Sequence, residues 1–194
     1  MFETRKYQWL NEPKNYVLTP TKLIIETEEN TDLWQKTYYG FENDNAPALL
    51  YTVEEQEFTA VITTEFNTKT RFDQCGILVY QDSQNWFKSS SEYENTLFQR
   101  LGSVVTNNGY SDWATQDISA EVKKIYYRLS RRGKDFQIEY SFDGCMYRQL
   151  RIFHFFAADA NIQFGPYACS PEKSSFQATF TELTFGPCIW ADHV

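Results

Sequence analysis

Trp86, Lys88, Ser90 and Glu92 fall at every second position of NWFKSSSEYEN. An extended backbone sends alternate side chains to opposite faces, so a ring, a cation, a hydroxyl and a carboxylate share one surface while Phe87, Ser89, Ser91 and Tyr93 share the other. That mixture suits a polar ligand, above all a sugar: the ring packs on the apolar side of a pyranose, and the charged groups bond its hydroxyls in fixed directions. A purely structural reading stands beside it, with Trp86 plugging the sheet and Lys88 and Glu92 forming a weak ion pair. A third reading is hydrolysis. Glu92 and Glu94 are two residues apart, and retaining glycosidases need two carboxyls about 5 Å apart. The next position in that alternation is Thr96, so no third acid extends the pair. His154 and His193 accompany no nucleophile motif.

The neighbouring segments extend the surface. If small apolar residues point to the core, Cys75, Ile77 and Val79 go inward, which leaves Gln74, Leu78 and Tyr80 on the side of Trp86. Arg128, at two-residue spacing from Tyr126 and Ser130, and Tyr167 are expected to border the same face. Asp112 and Trp113 follow a glycine turn and are placed at its rim, with turn capping by Ser111 and Asp112 as the competing role. The candidate ligand-binding set is therefore Gln74, Tyr80, Trp86, Lys88, Glu92, Asp112, Arg128 and Tyr167, with no catalytic residue, metal or cofactor assigned. Glu42-Asn43-Asp44-Asn45 offers consecutive oxygens that calcium could use, or is simply an acidic surface loop. Cys75, Cys145 and Cys169 read as reduced core thiols, and Cys188 with His193 lacks the second ligand pair of a zinc site.

With 194 residues the chain can build one sizeable core. Its net charge of -8 and pI near 4.8 disfavour phosphate backbones and anionic lipid as partners. Arg128, Arg131, Arg132 and Lys134 form a basic cluster around a predicted turn and read as solvated charge. The polar N-terminal stretch is unlike a secretion signal and no segment reaches membrane-spanning length, so the expected compartment is the cytoplasm.

An aromatic content of 18% favours a sheet-built core. Strands are expected at 23–27, 48–53, 57–66, 75–81, 86–93, 97–106, 123–131, 136–142, 146–153, 162–169 and 176–185, a spacing of about ten residues that belongs to sandwiches and barrels. The second of the paired runs, 57–66, is bulky on both faces and reads as interior to a sheet. Arg132-Gly133-Lys134-Asp135 and Phe142-Asp143-Gly144-Cys145 mark tight turns between consecutive antiparallel strands.

Several words then appear in a familiar order: WLNEP at Trp9 to Pro13, TDLW at Thr31 to Trp34, YGF at Tyr39 to Phe41, DQCGILV at Asp73 to Val79 and WFK at Trp86 to Lys88. VVT at Val104, SDW at Ser111, YSFDG at Tyr140 and GPYACSP at Gly165 follow. From Trp9 to about Phe185 the chain resembles the regulator-of-enolase-like domain family. The resemblance implies an all-β, concanavalin A-like jelly-roll sandwich of two curved antiparallel sheets, the concave one forming a groove where relatives of the fold bind glycans. It imports no activity. Ser89-Ser90-Ser91 departs from the family pattern of a small residue, glycine and an apolar residue before Glu92. The expectation is a single domain over 1–194, a non-catalytic module for a saccharide or sugar-like metabolite. A protein-interaction module acting on a metabolic enzyme, and a glycoside hydrolase using Glu92 and Glu94, are the alternatives.

Overall fold

Period-two alternation dominates the chain, and its apolar halves meet between two seven-stranded antiparallel sheets. The computed structural model describes residues 2, 6–159 and 161–191. One sheet holds β1 (Tyr7–Leu10), β6 (Ala48–Val53), β15 (Ile162–Cys169), β8 (Gln74–Asp82), β9 (Asn85–Tyr93), β10 (Phe98–Asn107) and β11 (Tyr110–Ser119), in that spatial order. The other holds β14 (Arg148–His154), β13 (Asp135–Ser141), β12 (Lys124–Arg132), β7 (Glu57–Phe66), β16 (Gln177–Gly186), β3 (Lys22–Glu26) and β2 (Tyr16–Leu18). A hairpin of β4 (Leu33–Gln35) and β5 (Glu42–Asp44) lies apart from both.

The core takes one residue in two from each strand: Cys75, Ile77 and Val79 of β8, Phe87 of β9, Leu101 and Val105 of β10, facing Ile125, Tyr127 and Leu129 of β12 and Phe136 and Ile138 of β13. Burial of this kind contributes about 25 cal/mol per Å² of apolar surface and is the main force closing the sandwich. Phe87 packs edge-on against Phe136, Phe153 and Phe155 at centroid distances of 5.1, 4.6 and 5.5 Å. The strands at 57–66, 162–169 and the hairpin turns fall where the alternation predicts them. β7 is interior, flanked by β12 and β16.

Four expectations need correction. The segment 110–119, given no strand above, is β11, an edge strand whose largely polar, exposed residues lack an apolar alternation. Cys145 is exposed, because it belongs to the turn that Asp143 organises by accepting the Cys145 and Met146 amides, both at 2.8 Å. Residues 42–44 are a strand, not a loop: Asp44 accepts the Tyr80 hydroxyl at 2.8 Å, and Asn45 ties Asp32 to Asn30. The basic cluster is solvated only in part: Lys134 is exposed, but Arg131 and Arg128 are engaged by the protein. Arg131 is 0% exposed and donates to the carbonyls of Gly133, Glu55 and Asp159, while Arg128 makes a two-pronged pair with Glu139 at 2.6 and 2.8 Å. Among the described residues no helix is long and apolar enough to cross a membrane. His193 lies outside the described residues.

Candidate functional site

The outward face of the first sheet is set by ladder register. Gln74 pairs with Glu92, Gly76 with Ser90 and Leu78 with Lys88 across β8 and β9; Lys88 then pairs with Val104, Ser90 with Gly102 and Glu92 with Arg100 across β9 and β10. Because paired residues point the same way, parity alone lines these side chains in rows. Half of that face is sealed. The β4–β5 hairpin brings Leu33 and Trp34, with Ala46 beside them, onto Leu78, Trp86, Val104, Tyr167 and Cys169, forming a second, smaller apolar cluster. Gln35 N–H donates to Ser111 Oγ at 3.0 Å and Tyr80 donates to Asp44, fastening the hairpin down.

The unsealed half is a pocket of about 430 Å³. Its floor is Gln74, Lys88, Ser90, Glu92, Arg100 and Gly102; its walls are Trp34, Tyr39 and Phe41 of the hairpin, Phe72 from the loop before β8, and Trp113 of β11, with Asp32 at the hairpin's entrance and Glu172 at the rim. Trp34 and Trp113 meet edge to face at 6.2 Å. Phe72 holds a φ of 70°, unusual for a bulky residue, and its carbonyl accepts the Gln74 amide at 3.3 Å.

A directed chain of hydrogen bonds crosses the floor. Lys88 Nζ donates to Gln74 Oε1 at 2.9 Å and to Asp32 Oδ1 at 3.3 Å; Tyr167 donates to the same Gln74 oxygen at 3.1 Å. Two donors on Oε1 fix the amide, so Gln74 Nε2 faces Glu92 Oε2 at 3.4 Å. The other Glu92 oxygen, Oε1, is enclosed and has no hydrogen-bond partner. Burial pushes the Glu92 carboxyl up to about 7, against a smaller pull from Lys88.

A stability consequence follows, with a definite sign. An acid whose folded pKa lies above its unfolded value near 4.5 costs nothing at pH 4; its penalty builds as pH rises from about 4.5 to about 7 and is complete above that. Glu92→Gln should therefore match the parent near pH 4 and exceed it at pH 8 by roughly 2 to 3 kcal/mol. Urea unfolding at the two pH values checks this, and equal stability at pH 8 would sink it.

Gln74, Lys88 and Glu92 of the candidate set line the pocket. Trp86 does not: it shares their face but is 0% exposed beneath the hairpin, its ring 5.9 Å from the Lys88 ammonium, so it packs on the protein's own cation and is out of a sugar's reach. Tyr167 is likewise buried and orients Gln74, and Tyr80 is taken up by Asp44. Asp112 points away from the pocket, paired with Arg151 of the opposite sheet at 2.9 Å, while its neighbour Trp113 lines the wall. Arg128 belongs to β12 in the other sheet, its guanidinium 4.0 Å from the centroid of the Tyr147 ring. The postulated Lys88–Glu92 ion pair is replaced by Lys88–Asp32. Glu94 follows the end of β9 and is held between Arg71 at 2.7 Å and Arg100 at 3.3 Å, off the pocket lining. His154 sits in an exposed pair with Asp135 at 2.6 Å. Asp32, Trp34, Tyr39, Phe41, Phe72 and Arg100 were missed; the TDLW and YGF words contain four of them.

Comparison with known proteins agrees with this architecture. The chain is 32% identical over 174 residues to Regulation of enolase protein 1 of Saccharomyces cerevisiae, covering 90% of this chain and 86% of the relative. A crystal structure of a functionally unknown protein from Saccharomyces cerevisiae superposes with a TM-score of 0.87 at 30% identity, over 95% of this chain and 97% of that one. A GH43 protein from Bacillus licheniformis shares the sandwich at TM-score 0.74 and 16% identity, over 96% of this chain but only 38% of that one, which establishes likeness of fold alone. The jelly-roll, concanavalin A-like sandwich expected above is thus the observed one. The family model described as "Protein of unknown function (DUF1349)" matches residues 9–188, and the chain belongs to that family.

Proposed function

We propose that residues 1–194 act as one cytoplasmic β-sandwich domain, a non-catalytic binding module that takes a saccharide or sugar-like metabolite into the pocket beside the β4–β5 hairpin. The observation that carries this is the fixed polar row Lys88, Gln74 and Glu92 lying beneath aromatic walls. Directional polar groups set in an apolar, ring-lined concavity are what a polyhydroxylated ligand requires. Trp113 and Trp34 take the stacking role first given to Trp86. Hydrolysis is not favoured, because Glu94 is neutralised by two arginines and stands off the lining. Glycan arrays followed by calorimetry should return a saccharide ligand whose affinity falls at least tenfold in Trp113→Ala and in Glu92→Ala. Binding indifferent to both substitutions would refute the assignment.

A second reading has its own observation. The hairpin that walls the pocket carries Tyr38 at its tip, 93% exposed, beside the half-exposed Tyr39 and Phe41. Aromatic residues presented together are typical anchors of protein interfaces. The yeast relative's name associates it with enolase regulation, so a metabolic enzyme is the partner to test. Pull-down of enolase that is lost in Tyr38→Ser and unaffected by sugars would favour this reading over the first.

A further inference from the structure

The two cations lining the pocket each have a carboxylate of their own. Lys88 lies 3.3 Å from Asp32, and Arg100 lies 3.3 Å from Glu94, which also takes Arg71. Glu92 differs: Gln74 touches one of its oxygens, and the other is enclosed without a partner. Glu92 is therefore the floor carboxylate with no cation of its own, and it lines the pocket. The same pocket is lined by Trp34, Tyr39, Phe41, Phe72 and Trp113, and aromatic rings attract cations. The same sheet face already holds one ammonium in this manner, with Lys88 Nζ 5.9 Å from the Trp86 centroid and 5.8 Å from that of Tyr167.

Building on the saccharide reading, we infer that the occupant is an amino sugar whose ammonium pairs with the Glu92 carboxylate in this ring-lined pocket. A sugar carboxylate would face Asp32, Glu92 and the rim acid Glu172. A neutral sugar's hydroxyl would donate to the same carboxylate but would bring no positive charge to offset it, leaving a buried charge unpaired. The ammonium requires Glu92 ionised. Lys88 and Arg100 already favour that form while Asp32 and Glu94 oppose it, and with the carboxyl at about 7 a bound cation would expel its proton at mildly acidic pH.

Calorimetry of glucosamine at pH 6 in two buffers of different ionisation enthalpy tests this. The expected result is binding with release of close to one proton, at least tenfold tighter than N-acetylglucosamine, glucose or glucuronate, and loss of both the preference and the proton release in Glu92→Gln. Equal or tighter binding of N-acetylglucosamine, glucose or glucuronate would overturn the amine assignment and leave the saccharide reading intact. Should none of the four bind while other glycans do on the array, the amine assignment again falls alone; if no glycan binds at all, both fall.

Discussion

Gly76→Ala should cost more than about 4 kcal/mol, enough to leave little folded protein at 37 °C. A Cβ built on Gly76 would lie 1.9 Å from the Ser89 carbonyl oxygen and 2.8 Å from Ser90 Cα. Both obstacles are backbone of the paired strand β9, so no rotamer change relieves them. The strands would have to part at the register that sets Gln74 against Glu92 and Leu78 against Lys88. Glycine inside a strand ordinarily weakens it, and its presence here marks a close approach of two backbones. Gly186→Ala is the matched control, since nothing lies within 4 Å of a Cβ there. Urea midpoints should separate the two variants widely; a Gly76→Ala protein as stable as the Gly186→Ala control would show that the close approach is not required.

What was legible in the sequence follows from what parity can and cannot encode. Alternation assigned Trp86, Lys88, Ser90 and Glu92 to one face and Phe87 to the other, because two-residue periodicity is a local property. Parity says nothing of which sheet a strand joins, and that is why Arg128 was misplaced. β12 follows β11 in sequence but crosses to the opposite sheet, and its even-numbered residues face outward on the far side of the molecule. Parity is equally silent about covers. Trp86 has the orientation expected of it, yet Leu33 and Trp34, more than fifty positions earlier, close over it. Asp32, visible in the sequence only as part of the TDLW word, has no assigned role there for the same reason: its partner Lys88 is 56 residues away. Glu94 failed differently, since the strand stops at Tyr93 and the alternation stops with it.

Lys88→Met should destabilise by about 3 to 5 kcal/mol, the usual cost of removing one member of an enclosed ion pair. The ammonium is nearly inaccessible, and its loss strands the Asp32 carboxylate, itself only 15% exposed, and removes one of the two donors that orient Gln74. Most of that loss should return in the double variant Lys88→Met/Asp32→Asn, because no uncompensated charge then stays enclosed. A double-mutant cycle measures the coupling, and a coupling near zero would show that Lys88 is held by its neighbouring rings instead of by Asp32. The same substitution carries a functional signature. Lys88 is the largest influence lowering the Glu92 carboxyl, so its removal should move the pH at which Glu92 ionises above 7. Gln74 keeps its bonds to Tyr167 and to the Phe72 carbonyl, so the shift toward a protonated Glu92 comes from the lost charge. A folded Lys88→Met protein should then bind glucosamine more weakly at pH 7 and regain affinity more slowly with rising pH, whereas a Lys88 serving packing alone would leave that profile where it was.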